Sequence, residues 1–532
     1  MSLPNRRLSN ITIPLILGSN KIKLNEHQIG VAYAIHHVHG IIVKHGLGTG
    51  KTITAIASFE SLQNNVKHMD KSIKKLVAHV IVPAKLRENF KKELDYVGVN
   101  PKCYKIYSYE GYAKHHQGPY NNVVLILDEA HMIRNAASNK SIELTQIASL
   151  CFRVIILTGT PMVNFPSDIA VLLNMCHDHG SKHLPTSWGA FKSKYLKYEY
   201  SKKISLSFPF LKIVRNIATK NTRDLMDSFK NRISCVDSPE DNFPKAYFFS
   251  KRIEMSKEQY IVYNAMEKEM LDSNARKILG NGEDRNNSVL NSFLNKTRMI
   301  SNSLRGLKKD DAPENSPKFM EVLSRILEEN RYPVLVYSFF LDSGINPMEE
   351  LLQKHELHTD KIIGSTKDED VKKIVNKYNN GKLDILLISG AAGYGLDLKK
   401  TTQIHILEPS WNKAKVDQVI GRGIRYKSHS DLPESERYVN VYHWLSVIPR
   451  SIFSLPWSKV RPSADEYLYN ISIQKDTVLN IFYKVICDSS IENNILQDKK
   501  IKDTSSYVEK TKNKTGRYDI DNIRRMQSIS DI

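Results

Sequence analysis

The most constraining feature of this chain is a set of short β-branched runs, each separated from the next by a longer polar, amphipathic stretch. In the first half the runs are GIIVK (40–44), HVIVP (79–83), VVLIL (123–127) and RVIILT (153–158). In the second half they are PVLVYS (333–338), DILLIS (384–389), QIHILE (403–408) and RYVNVYHW (437–444). A strand that is apolar along its whole length must be covered on both faces, which points to parallel sheets whose crossovers are helices. Two such sets in 532 residues predict an α/β protein of two similar parallel-sheet lobes. Between them, over roughly residues 200–315, the pattern is mainly helical and polar, and GLKKDDAPENSPK (306–318) reads as a linker from its charge, prolines and lack of period. From Lys499 onward the chain is polar and Lys-rich, the composition of a frayed or partner-ordered tail.

Several classes drop out. No run nears the roughly 18 uninterrupted apolar residues of a membrane-crossing helix. The opening MSLPNRRLSN lacks the apolar core of a secretory signal, and the expectation is an intracellular protein with no membrane partner. Cys103, Cys151, Cys176, Cys235 and Cys487 are scattered and contain no C-x-x-C, which suits a reducing compartment.

GLGTGKT (46–52) follows the first strand and opens an apolar-periodic helix, the setting of a phosphate-binding loop. Glycines Gly46, Gly48 and Gly50 let successive N–H groups curl toward phosphate oxygens, with Leu47 and Thr49 between them. Lys51 is placed to reach the β- and γ-phosphates of ATP and the Thr52 hydroxyl to ligate Mg²⁺. His45 stands where such loops usually begin with Gly or Ala, so the entry turn departs from the common pattern. DEAH (128–131) ends the strand VVLIL, bringing its acids out at the carboxyl edge of the sheet. Asp128 is expected to hold Mg²⁺ and Glu129 to orient and deprotonate the attacking water. Alone, such a tetrapeptide is often a solvated strand end; after a phosphate loop it is read as chemistry. Downstream, QVIGRGIR (418–425) sets Gln418, Arg422 and Arg425 on one expected helix, with the two arginines sharing a face. By themselves these are surface arginines; facing the first lobe they would neutralise charge on the transferring phosphate.

These motifs spell a family. GLGTGKT, DEAHMIRN (128–135), LTGTPMVN (157–164), GYGLDL (393–398) and QVIGRGIR occur in the order of motifs I, II, III, V and VI of superfamily 2 helicase-like ATPases. DEAHxxRN and LTGTPxxN resemble the Snf2-related branch. YSFFLDSGI (337–345), the stretch from QVIGRGIRYKSH into RYVNVYHW, and SADEYLYNISIQKD (463–476) are similar to the nucleoside triphosphatase I group of large cytoplasmic DNA viruses. The resemblance covers roughly residues 20–495. It implies two RecA-like lobes with helical insertions, divided as an N-terminal segment with an adenine-contacting element (1–30), an ATP-binding lobe (31–180), a basic-aromatic insertion and helical linker (181–315), a C-terminal lobe (316–480), and a helix with a polar tail (481–532). It also implies a DNA-dependent ATPase that translocates on DNA and acts with a viral RNA polymerase in early transcription termination and transcript release, in virion and host cytoplasm. Leu24 and Gln28 match the adenine-contacting element, His131, Thr158 and Thr160 the coupling residues, and Gly395 and Asp397 the second-lobe motif near ribose and DNA. The alternatives are a strand-separating RNA or DNA helicase and a catalytically silent polymerase-binding scaffold.

Charge bears on the nucleic acid. The chain holds 77 Lys+Arg and 57 Asp+Glu, a net of +20. Residues 1–240 hold 32 and 17, a net of +15, and residues 241–532 hold 45 and 40, a net of +5. The most basic stretch, 181–220, carries nine Lys or Arg, Lys202, Lys203, Lys212 and Arg215 among them, against Glu199 alone. Interleaved with them are Trp188, Phe191, Tyr195, Tyr198, Tyr200, Phe208 and Phe210. Cations with ring faces suit a nucleic-acid groove; the same rings would equally pack an insertion onto its lobe. Cys176, His177, His179 and His183 lack the second ligand pair that a structural zinc site draws on.

Overall fold

The computed structural model describes residues 13–46, 48–112, 118–178, 181, 183–202, 212–237, 243–270, 288–390, 396–410, 413–450 and 462–493. A small antiparallel hairpin, β1 (Ile16–Leu17) and β2 (Ile22–Lys23), precedes the first sheet. That sheet contains β3 (Gly40–His45), β4 (Val77–Val82), β5 (Tyr104–Ser108), β6 (Val123–Leu127) and β7 (Arg153–Thr158). After a separate antiparallel hairpin of β8 (Leu196–Lys202) and β9 (Lys212–Thr219), β10 (Ile233–Val236) returns to it. The order is β10-β3-β7-β6-β4-β5 and every pairing is parallel. The second sheet holds β11 (Lys245–Glu254), β12 (Val334–Ser338), β13 (Thr359–Ile362), β14 (Ile385–Ser389), β15 (Gln403–Ile406) and β16 (Tyr438–Val447). Its order is β11-β16-β15-β12-β14-β13, again all parallel.

The period of two along each strand divides the apolar residues between two cores. In β6, Leu125 and Leu127 join one cluster while Val124 and Ile126 join the other. In β14, Leu386 and Ile388 face one side while Ile385 and Leu387 face the other. This two-sided burial explains why these strands have no polar face.

One helix belongs to both lobes. Ala464–Asp488 has 25 residues, about 37 Å at 1.5 Å per residue. Ala464 and Leu468 pack beside the second sheet with Tyr263, Leu294 and Ile448. Leu479, Phe482 and Ile486 lie in the first-lobe core with Phe191, Leu225 and Phe229. Its start is capped by Ser463, whose hydroxyl accepts from Glu466 N. It is anchored by Asp465, whose Oδ2 lies 2.9 Å from Lys318 Nζ with both side chains buried. The same ammonium donates to Asn302 Oδ1 (3.0 Å) and Leu407 O (2.9 Å), and Ser446 N donates to Asp465 Oδ2 (2.9 Å).

Three expectations are corrected. Among its described residues the stretch 200–315 is not helical throughout: beside three helices it holds β9, β10 and β11, and the last two supply an edge strand to each sheet. β10 is only four residues long, and β11, KAYFFSKRIE, is exposed or half-exposed throughout, so neither has the two-sided burial of the central strands. Residues 306–318 are not a linker, since Asp311, Ser316 and Lys318 are buried and the helix Pro317–Glu329 starts within them. The long helix begins at Ala464 and not near 481.

Because a buried charge that loses its partner keeps its desolvation cost, Asp465→Ala should destabilise the second lobe by about 3–5 kcal/mol. Thermal unfolding followed by circular dichroism should show this as an earlier transition, and Lys318→Met with Asp465→Leu should recover part of the loss.

Candidate functional site

β3 leads into the Gly-rich loop at the carboxyl edge of the first sheet. Gly46 N donates to Val236 O (2.8 Å), extending the strand pairing to the loop's first residue. Gly48 and Gly50 have φ of +76° and +78°, conformations that strain any residue with a Cβ, and Gly50 precedes the helix Lys51–Met69. Thr49 Oγ1 donates to Gly46 O (2.8 Å). Lys51 Nζ donates to His45 O and Gly46 O, each at 3.0 Å, so its ammonium rests in the curl of the loop. Burial lowers the Lys51 pKa, against the pull of Glu129 and Asp128. Thr52 follows on the first turn of the helix and is partly buried. Leu47 lies outside the described residues.

The helix Glu26–Ala34 closes one side of the loop. Gln28 is buried; its Oε1 accepts from Asn25 N (2.9 Å), and its Nε2 makes long contacts to Thr49 O (3.5 Å) and Gly50 O (3.4 Å). A Cβ on Gly50 would sit 2.7 Å from that nitrogen. Leu24 is buried in the first-lobe core. His27, which the sequence did not single out, brings Nε2 to 3.1 Å from Thr49 O.

The acids emerge from β6, which β7 separates from β3 in the sheet. Asp128 N donates to Ile81 O (2.8 Å), Tyr109 Oη donates to Asp128 O (2.7 Å), and Glu129 N donates to Asp128 Oδ1 (2.9 Å). Glu129 has φ of +50°, a sparsely populated backbone region for a residue with a side chain. His131 Nδ1 lies 3.2 Å from Glu129 Oε2. Burial, then the neighbouring Glu129, push Asp128 up to about 6. Burial also pushes Glu129 upward, but the hydrogen bond and charge of His131, then Lys51 and Arg422, bring it below the ordinary carboxylate value. Two adjacent carboxyls are thus driven apart, one toward holding a proton and one toward staying ionised. A carboxyl raised by burial beside a hydroxyl-bearing helix turn fits a cation: a divalent ion there would restore the Asp128 carboxylate.

β7 delivers the third segment. Thr158 is fully buried, and its Oγ1 accepts from Thr160 N (3.1 Å). A Cβ on Gly159, between them, would lie 3.8 Å from His45 O and 4.0 Å from Lys51 Nζ, which places this turn directly on the loop. Asp168 Oδ2 accepts from the backbone N of Val163, Asn164 and Phe165 at 3.0, 2.6 and 3.2 Å, holding the turn's exit. Tyr483 of the long helix donates to Met162 O (3.0 Å) and accepts from Met162 N (3.4 Å).

From the second lobe, the helix Lys413–Gly423 carries Gln418 and Arg422, both partly buried. Arg422 is near enough to Glu129 to help lower its pKa. Arg425 is not on that helix, as expected from sequence, but two residues past its end. The helix stops at Gly423, where a Cβ would come within 3.0 Å of Thr401 Cγ2. Arg425 Nη1 instead pairs with Asp397 Oδ1 (3.2 Å), and its Nε donates to Gly421 O (3.2 Å). Gly395 lies outside the described residues. Tyr426, next in the chain, approaches the loop from across the lobes: a Cβ on Gly48 would be 3.2 Å from Tyr426 Cβ. No residue pattern marks Tyr426 beforehand, because the contact depends on how the lobes meet.

The basic insertion divides. Lys202 and Lys212 are paired in the β8–β9 ladder and Arg215 is on β9; the side-chain positions of all three, and the whole of Lys203, lie outside the described structure. Phe191 and Tyr195 are wholly buried, Phe191 lying 5.5 Å from the Phe482 ring, and Trp188 stacks on Phe165 at 5.1 Å. These three rings pack the insertion onto its lobe. Lys194 pairs with Asp224 at 2.6 Å. Cys176 is fully buried beneath Gly40, the His177 and His183 rings are 5.9 Å apart, and His179 lies outside the described residues. All five cysteines are unbridged. Among the described residues no helix is long and apolar enough to cross a membrane.

The chain is similar to known proteins over most of its length. Residues 97–305 match the SNF2-related domain and residues 318–427 the helicase conserved C-terminal domain. A protein of Acanthamoeba polyphaga mimivirus, named as a candidate ATP-dependent RNA helicase, is 32% identical over 485 residues, covering 89% of this chain and 99% of that protein. The termination factor NPH-I homolog of African swine fever virus is 23% identical over 569 residues, 86% of this chain and 76% of its own. Nucleoside triphosphatase I of Amsacta moorei entomopoxvirus is 33% identical over 136 residues, 25% of this chain and 18% of its own.

The raised Asp128 pKa predicts a stability signature. Unfolded, the group ionises near its ordinary 3.8; folded and free of cations, it keeps its proton to about 6. Folding stability therefore falls as pH rises through this window and stays lower above it, by about 1–3 kcal/mol. Asp128→Asn should raise the melting temperature in chelator-treated, nucleotide-free protein, with a gain at pH 5 roughly half that at pH 8. Equal gains at both pH values would mean that the carboxyl titrates normally.

Proposed function

This chain belongs to the SNF2-related, helicase-like nucleoside triphosphatases of large DNA viruses, and from that premise we propose that it is a DNA-dependent ATPase that translocates on DNA during viral transcription termination. The observation that carries the chemical part is the meeting of Lys51, Asp128 and Glu129 from one lobe with Arg422 from the other. In this reading the loop His45–Gly46–Leu47–Gly48–Thr49–Gly50 cradles the phosphates and Lys51 moves from the carbonyls of His45 and Gly46 to the β- and γ-phosphates. Gln28 addresses the adenine. Thr52 and Asp128 would hold Mg²⁺, which when bound offsets charge on the phosphate oxygens.

Glu129, kept ionised by His131, Lys51 and Arg422, is the base for the attacking water. Arg422 neutralises charge on the transferring phosphoryl group, and Arg425 joins it when released from Asp397; Gln418 contacts the same group. Gly395 and Asp397 are assigned to ribose and DNA contact, and Thr158, Thr160 and His131 to relaying nucleotide state to the nucleic-acid side. Hydrolysis is slow until the lobes align these groups.

DNA as the activator is supported by the positive charge of residues 1–240, and the termination role by the name of the African swine fever virus relative. The β8–β9 hairpin, with Lys202, Lys203, Lys212 and Arg215, is the candidate surface. RNA strand separation stands as a second reading because the mimivirus relative is named as an RNA helicase.

ATP turnover titrated against single-stranded DNA, duplex DNA and RNA at two salt concentrations separates the two. DNA should stimulate more than RNA, half-maximal stimulation should need more DNA at the higher salt, and a partial duplex should not be unwound; efficient unwinding overturns the translocase reading. Glu129→Gln should lower kcat by about 10²–10⁴-fold. Lys202→Glu with Lys203→Glu should flatten the salt dependence and leave turnover without DNA unchanged.

A further inference from the structure

His45, the residue that departs from the usual loop pattern, is built into a hydrogen-bonded chain that ends far away in sequence. Its ring is fully buried, and its Nε2 lies 2.7 Å from Ser234 Oγ on the neighbouring strand β10. Ser234, also fully buried, donates its hydroxyl hydrogen to Glu492 Oε1. The other oxygen, Glu492 Oε2, accepts from Cys235 N at 3.1 Å. Both oxygens of one carboxylate are therefore spent on β10. Just before it, Ile491 is buried in the first-lobe core cluster that holds Ile41 and Val43.

The direction of these bonds follows from the proton count. Ser234 has one hydroxyl hydrogen, and it goes to the carboxylate. Toward His45 its oxygen acts only as acceptor, so His45 carries its hydrogen on Nε2. Burial first, then the charges of His27, Lys51 and Lys44, push the ring down to about 3, so it stays neutral at physiological pH. The tautomer and ring orientation of His45 are thereby set by Glu492. The carbonyl of the same residue is one of the two that receive Lys51 Nζ.

We infer that Glu492 is a positioning residue of the nucleotide site: through Ser234 it clamps His45 and with it the entry of the phosphate loop and the resting place of Lys51. The inference rests on reading residues 46–52 as the phosphate site. Glu492 lies four residues past the end of the helix that spans the two lobes, so the clamp is seated only when that helix is docked on the first lobe through Phe482 and Ile486. Nucleotide affinity in the first lobe then depends on a segment that enters it from the second.

The test uses the full chain and a fluorescent N-methylanthraniloyl ATP as probe, with steady-state turnover measured alongside. Glu492→Ala and Ser234→Ala should each weaken probe binding about tenfold, as expected for loss of a hydrogen bond to a charged group. The double variant should be no weaker than either single one, because both cut the same chain. At saturating ATP, kcat should stay within about twofold of wild type, since a positioning defect falls on binding. Glu492→Gln, which keeps an acceptor for Ser234, should recover part of the affinity. Unchanged binding in the single variants overturns the clamp, as do additive losses in the double variant. Lys51→Ala separates this from failure of the site itself: if it leaves probe affinity intact, residues 46–52 are not the phosphate site. If it abolishes binding while Glu492→Ala does nothing, the clamp alone is wrong.

Discussion

The distance between the two sheets is governed by one helix whose ends have different partners. Its first turn is held in the second lobe by the buried Lys318–Asp465 pair, and its last turns are held in the first-lobe core by Phe482 and Ile486. A helix is stiff over this length, so the two anchors leave little freedom in how the carboxyl edges of the sheets oppose one another. That opposition makes the site. Lys51 opens the helix that follows β3 and Asp128 and Glu129 directly follow β6 of the same sheet, Arg422 comes from a helix packed on the other, and Tyr426 reaches Gly48 across the same gap. Tyr483, on the same helix, bonds both backbone groups of Met162, tying the strut to the turn that follows β7.

The site gathers groups whose surroundings cost free energy. Asp128 is carried toward neutrality by burial, and Glu129 takes a left-handed backbone conformation. Each is unfavourable alone, and each is held in place by the elements around it. Placing the acids directly after a fully buried strand makes this possible, because β6 is held on both faces and cannot relax to accommodate them.

Much of this was legible in residue order. The eight apolar runs became strands close to their expected bounds, because a strand covered on both faces needs apolar residues throughout and so advertises itself. GLGTGKT and DEAH were readable for a related reason: their chemistry needs neighbours in sequence. The failures share a cause too. β10 and β11 are edge strands, one short and the other largely exposed, and Lys318 looked solvated because its partners Leu407 and Asp465 are distant in the chain. Arg425 seemed to continue its helix, but the helix ends at Gly423 and the Arg425 N–H is taken by Ser428 Oγ. Phe191 and Tyr195 could have faced nucleic acid or core; Phe482, 291 residues after Phe191, helps bury them in the core.

Local pattern alone therefore indicated the two parallel-sheet lobes and the family, and singled out the lysine, threonine and acids proposed to serve a nucleotide, since each depends on residues within a strand or a turn of one another. Tertiary structure alone decided which arginine faces Glu129, which aromatic rings are core, and that His45 answers to Glu492, 447 positions later. Burial, pKa and hydrogen-bond partners are properties of what surrounds a group in space. Chain order carries that information only when the surroundings happen to be local.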